Sequence, residues 1–224
     1  MHYRPHTDNA ALQDADWLDF QWCQTGHTGE HVAERVADMW RNTPAKAVAN
    51  GEPTYEGTRS PDMAAGWWQG HEAWSNLCAG GTMGVVYGAA SLWQWVLRPD
   101  EPGQMDYFLA PGCSWRESID FPGSTYVGML GKVLQGLPTT DMRPGWRDVL
   151  AARCLIVPGK LFVNYSSTGE PLMPETDHPL PRSYRIVDPR TGEELARGER
   201  SETRGPLPET GSGPRVTILF DEEP

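Results

Sequence analysis

Basic residues are scarce in this sequence: 19 Lys and Arg stand against 30 Asp and Glu over 224 residues, a formal net charge of -11. The resulting acidic field repels phosphate, which argues against nucleic acid and anionic membranes as partners and leaves neutral ligands as the better fit. Long apolar runs are missing too. No stretch of about 18 apolar residues could cross a bilayer, and the opening "MHYRPHTDNA" has no apolar core of a secretory signal. Cysteine is sparse: Cys23, Cys78, Cys113 and Cys154 lie far apart without CxxC spacing, which speaks for buried free thiols over a zinc knuckle or a redox pair. No internal repeat is found, and no cofactor is expected.

What the chain does have is apolar and aromatic mass. At 38% hydrophobic and 10% aromatic it can bury a substantial core, with room for one large domain or two small ones. Its 10 tryptophans fit two uses, large core fillers or flat platforms for sugar rings.

Periodicity organises the first two-thirds. "DWLDFQWC" (16–23) alternates like a strand and breaks at "QTGHTG". Val32, Val36, Met39 and Trp40 then recur at helical spacing, with Thr28 as a cap and "NTP" (42–44) as a stop, which predicts a helix over 30–41. "AKAVANG" (45–51) is short and apolar, as a strand buried on both faces would be. Ser60-Pro61 opens a second helix over 61–79 whose apolar face carries Met63, Ala64, Trp67, Trp68, His71, Trp74, Leu77 and Cys78, and which ends at Gly80-Gly81. "MGVVYGA" supplies a third strand near 83–88, and a further helix covers 124–135. Strand, helix, strand, helix, strand is a parallel α/β pattern. The three strands are expected to be parallel neighbours with both helices on one outer side.

After "LPTTDMRPGW" (137–146) the texture changes to short β-rich runs, "RCLIV", "KLFVNYS", "SYRIV" and "RVTILF", with a hairpin turn in "VDPRTGEEL" (187–195). The division predicted is 1–140 for the α/β part and 146–224 for a small antiparallel β domain, with "RGPLPETGSGP" (204–214) as a loose loop.

In parallel α/β folds the chemistry sits in the loops after the strand C-termini. Three polar clusters lie there: "QTGH" (24–27), "GEPTYEG" (51–57) and "VVYGAASLWQW" (85–95). Carboxylates at a strand end beside Trp and Tyr suit an oxocarbenium-like transition state, one attacking or stabilising the anomeric carbon while a second acid protonates the leaving oxygen. Plainer roles stand beside these. A Glu after a strand can cap a helix or pair with Arg59, His27 can be a packed histidine, and Tyr55 and Tyr87 can be rim packing.

These same segments carry a resemblance. "WLDFQWCQTGH", "ANGEPTYEG", "AGGTMGVVYGAASLWQW", "SWRESIDFPGS" and "VDPRTGEEL", in this order, resemble the C-terminal part of the apiosidase-like glycoside hydrolases, bacterial (β/α)8 barrels followed by a small β domain labelled as collagen-binding. The resemblance implies the C-terminal part of a (β/α)8 TIM barrel followed by a small antiparallel β-sandwich domain. It implies a glycoside hydrolase acting on a plant-type polysaccharide, in a secreted or periplasmic bacterial setting. Glu52 matches the family's glutamate after the seventh strand and would be the nucleophile of a retaining mechanism, with Glu56 the second choice. Gln24, Gly26 and His27 match a Gln-Ser-Gly-His segment lining the sugar pocket, with Thr25 in place of Ser. Tyr55 lies within the Glu-Pro-x-Tyr-Glu segment, Tyr87 and Gly88 match a Tyr-Gly pair, and Trp93 matches the tryptophan beyond it.

Two departures bear on substrate contacts: Val85 stands where the family has a histidine, and His71 is the candidate replacement for an arginine of the preceding helix. About three strand-helix units are legible where a barrel needs eight, and the family's general acid belongs to the other half. A complementary N-terminal half-barrel is therefore an expected partner, and little activity is expected from this chain alone. Two rivals remain. "HTGEH" (27–31) formally matches the H-x-x-E-H zinc motif, although Gly29 is a poor helix residue. The other rival is a non-catalytic carbohydrate-binding protein whose β domain does the binding. On the hydrolase expectation Glu52 faces one cavity with His27 and Tyr87, and Glu56 lies more peripherally.

Overall fold

The computed structural model describes residues 2–3, 10–25, 32–58, 66–102, 112–145, 154–169, 177–202 and 205–221. Its first layer is a sheet of four strands in chain order, β1 (His2–Tyr3), β2 (Gln21–Gln24), β3 (Val48–Glu52) and β4 (Gly84–Val85). Every neighbouring pair is parallel, with His2 opposite Trp22, Trp22 opposite Ala49 and Ala49 opposite Gly84. Helix α1 (Val32–Trp40) connects β2 to β3, and α2 (Trp67–Cys78) connects β3 to β4. Cys23 and Val48 pack against Val36, Ala37 and Met39 of α1 and against Ala79 after α2, so both helices cover one side, as expected.

Boundaries moved where tertiary contacts outweigh alternation. Residues 13–20 form turns in place of the expected start of a strand, because Lys46 Nζ donates to the carbonyls of Ala15 (3.1 Å) and Leu18 and draws the loop onto the approach to β3. Trp17 is left exposed there. β1 went unforeseen, since two residues carry no readable period.

α2 ends in a Schellman motif. The Gly80 N–H bonds the Leu77 carbonyl (3.0 Å), the Gly81 N–H bonds the Asn76 carbonyl (2.9 Å), and Gly80 takes φ +113°. Glycine adopts this left-handed position without a Cβ penalty. Short helices α3 (Ala90–Trp93) and α4 (Trp115–Ser118) follow, then α5 (Pro122–Val133), which begins two residues earlier than expected because Pro122 occupies its first turn.

The second layer is antiparallel. β5 (Arg143–Pro144), β6 (Cys154–Val157), β7 (Leu161–Ser166), β8 (Ser183–Val187), β9 (Glu194–Glu199) and β10 (Arg215–Phe220) pair in the order β5-β6-β7-β10-β8-β9. The hairpin expected at 187–195 joins β8 to β9, closed by Asp188 N–H to the Glu193 carbonyl at 2.9 Å. Among the described residues these strands make one sheet, where two facing sheets were expected. The reason lies in what covers its faces. Leu155, Val163, Tyr165, Val216 and Ile218 pack on Trp74 and Leu77 of α2 and on Tyr126 and Val133 of α5. Ile156, Phe162, Ile186 and Leu219 on the other face are covered by Leu180 and Leu207 from irregular segments. The described part of 204–214 is irregular, as expected for a loop, and is anchored where Leu207 is buried.

Candidate active site

Glu52 is the last residue of β3, at the C-terminal edge of the parallel sheet. A register irregularity between Cys23 and Gln24 sets Gln24 opposite Glu52 on β2, and the Thr25 N–H bonds the Glu52 carbonyl at 3.3 Å. The Tyr55 hydroxyl donates to Glu52 Oε1 at 3.2 Å. Tyr55 lies directly on the backbone of Gly88, where a Cβ would come within 2.7 Å of its ring, and packs against Trp93 at 5.9 Å between ring centroids. Burial, and then the neighbouring Glu52 charge, push the Tyr55 phenol far above its ordinary pKa, so it stays a proton donor to Glu52 near neutral pH. Trp93 is half exposed and forms the outer wall.

Glu56 points elsewhere. Its backbone forms a parallel bridge with Ala89, through Glu56 N–H to Gly88 O (2.9 Å) and Ala90 N–H to Glu56 O (2.9 Å). Glu56 is 1% exposed, and its carboxylate accepts from the Tyr87 hydroxyl at 2.7 Å and from the Gly123 N–H at 3.0 Å, which ties the segment after β4 to the start of α5. A Cβ on Gly123 would sit 2.2 Å from Glu56 Oε2, so a larger residue there has to displace the carboxylate or the helix. Burial raises the Glu56 pKa, opposed by the hydrogen bonds from Tyr87 and Gly123. The expected geometry is corrected here: Tyr87 engages Glu56 and not Glu52, and Glu56 is held in the interior, because the bridge to Ala89 turns residue 56 inward.

A third glutamate, missed in the sequence, lies beneath this site. Glu72 on α2 is fully buried, accepts from the Thr25 hydroxyl, and accepts from the Thr54 N–H at 3.0 Å. Asn50 Nδ2 donates to Thr25 Oγ1 at 2.9 Å, and the Trp68 indole N–H to Thr54 Oγ1 at 3.1 Å. The cluster therefore locks the loops after β2 and β3 on either side of Glu52. Burial raises the Glu72 pKa. The available signal was a lone acid in the α2 sequence from Trp67 to Cys78, one helical turn after Trp68.

Gly26, His27 and the whole "HTGEH" segment lie outside the described residues. Among the described residues no group of three or more His, Cys, Asp or Glu is disposed to hold a metal. His71 stacks on Trp67 at 5.3 Å, and its Nδ1 lies 3.0 Å from the Tyr165 hydroxyl of β7.

Residues 1–141 match the family profile described as "Apiosidase-like, catalytic domain". The chain belongs to this family. The resemblance thus holds at the level of the family over residues 1–141, which contain the first four of the five segments. A solved structure named "Glycoside hydrolase" superposes with a TM-score of 0.70 at 19% identity, covering 99% of this chain and 57% of its own. A glycoside hydrolase family 5 structure from Bacteroides vulgatus ATCC 8482 gives 0.71 at 18% identity, covering 98% and 55%. A second structure from that organism, titled a glycoside hydrolase with its assignment still provisional, gives 0.60 at 12%, covering 98% and 44%. At these identities the likeness concerns the fold. The chain spans little more than half the length of the first two structures. No functionally curated protein matches it.

Proposed function

We propose that this chain carries the nucleophile side of a glycoside hydrolase site, with Glu52 as the carboxylate that attacks or stabilises the anomeric carbon. The observation that supports this is Glu52 at the C-terminal end of β3, oriented by the Tyr55 hydroxyl and flanked by Gln24, with the Tyr55–Trp93 aromatic wall beside it. Glu56 is the poorer candidate, since Tyr87 and Gly123 already hydrogen-bond its carboxylate. Gln24 and His27 would line the sugar pocket, with Tyr87 acting behind it through Glu56.

The mechanism is a two-carboxylate one. As the glycosidic bond breaks, positive charge grows on the anomeric carbon, and Glu52 meets it while Tyr55 holds one of its oxygens in place. A carboxylic acid from a complementary half-barrel protonates the leaving oxygen. In this reading residues 1–140 contribute the last strands of a (β/α)8 barrel and 146–224 form an appended β domain. The outer edges of β1 and β4 are where further strands would join, from the same polypeptide or another. Separation of the two carboxyls by about 5 Å would give retention, and a larger gap inversion. The substrate in this reading is an apiose-bearing plant polysaccharide, in keeping with the apiosidase-like name of the family.

The test is Glu52→Gln in the complete enzyme, assayed on p-nitrophenyl β-apioside. The amide keeps size and hydrogen bonding but removes the anion, so kcat should fall by about a thousandfold or more with an unchanged melting temperature. Near-normal turnover would remove Glu52 from the mechanism.

A further inference from the structure

We propose that Trp95 and Trp115 form an additional sugar-stacking subsite that takes the neighbouring unit of an oligosaccharide whose scissile end sits at Glu52. The direction of the chain rests on the hydrolase reading above; the platform itself rests on independent geometry. α3 ends in a second Schellman motif, with Trp95 N–H to Leu92 O at 3.2 Å and Val96 N–H to Ser91 O at 2.9 Å. At the position where α2 has Gly80, α3 has Trp95 at φ +55°. A bulky residue is disfavoured in this conformation, and strain of this kind concentrates at functional positions. Packing into the core does not account for it, because Trp95 is 60% exposed.

Instead the strained backbone presents the indole. Trp95 stacks on Trp115 with centroids 5.0 Å apart and planes 5° apart, and the Arg116 guanidinium lies 4.4 Å from the Trp115 ring centre. The Trp115 N–H bonds the Val96 carbonyl at 2.7 Å, and Ser91 Oγ bonds Ser118 Oγ at 2.8 Å, which fix α4 against α3. One face of Trp95 is thus taken by Trp115 while 60% of the residue stays exposed, which leaves apolar ring surface suited to the C–H face of a pyranose. Trp93, which packs on Tyr55 beside Glu52, is two residues away, so the two Cα atoms are separated by no more than about 7 Å.

The experiment compares Trp95→Ala, Trp95→Gly and Trp95→Phe in the complete enzyme, using an apiose-bearing pectic oligosaccharide and p-nitrophenyl β-apioside. Trp95→Ala and Trp95→Gly should weaken oligosaccharide affinity and raise its KM roughly tenfold, leave kcat on the small glycoside unchanged, and Trp95→Phe should restore most of the loss. Trp95→Gly should fold at least as well as Trp95→Ala, since glycine suits the position. Oligosaccharide affinity unchanged in both truncations, no oligosaccharide binding by the wild type, or an equal loss on the small glycoside would each overturn the subsite. Binding that falls in Trp95→Ala while the wild type hydrolyses nothing would keep the subsite and remove the hydrolase reading.

Discussion

Glu52 and Glu56 are four residues apart, and the structure gives them opposite surroundings. Glu52 ends a strand, is half-buried and meets a phenol; Glu56 is enclosed and used as a tie between β4 and α5. The sequence marked both as acids at a strand end but could not divide their roles, because the bridge from residue 56 to Ala89 joins segments more than thirty positions apart. Glu72 shows the same limit more strongly. Its carboxyl is buried and its pKa raised above the ordinary 4.5, chiefly by burial. A carboxyl raised in this way favours the fold when protonated, so its contribution to stability declines as pH climbs from the ordinary value towards the raised one. Glu72→Gln abolishes that titration. The melting temperature of the variant relative to wild type should therefore rise as pH climbs above about 4.5, as read by calorimetry; a difference independent of pH would show that Glu72 carries no desolvation cost.

At the scale of elements, the parallel strands and their helices were legible because strand and helix periods are local properties of the chain. Their ends were not. β2 starts at Gln21 because Lys46 captures the preceding carbonyls, and β4 shrinks to two residues because the chain after it turns to form the Glu56–Ala89 bridge. α5 depends on a close approach that no pattern announces, the Glu56 carboxylate against Gly123. Gly123→Ala should cost about 1–3 kcal/mol in urea unfolding, because the new methyl has to displace either the carboxylate or the helix. A change below about 0.5 kcal/mol would mean that the tie is slack.

For the whole molecule, the decisive contact is between the two sheets' coverings. α2 is buried nearly all round, with α1 and Ala79 towards the parallel sheet and Trp74, Leu77 and Tyr126 towards the antiparallel one. Trp74 stacks on Tyr165 at 6.3 Å and is fully buried. Trp74→Ala should destabilise by about 3–5 kcal/mol, and near-UV signals from both layers should be lost in one transition. Two separate transitions, with only one shifted, would show that the layers fold independently. The sequence by itself determined the strand–helix alternation from β2 to β4, the parallel-to-antiparallel change near residue 140, the family and the strand end that presents Glu52, since each is written in a local period or a short contiguous segment. Only the tertiary structure decided that the antiparallel strands form one sheet sharing a core with α2 and α5, that Tyr87 serves Glu56, and that a tryptophan occupies a left-handed helix end. Those outcomes depend on which distant surfaces meet, and buried area, close backbone approach and the satisfaction of buried polar groups are set only when they do.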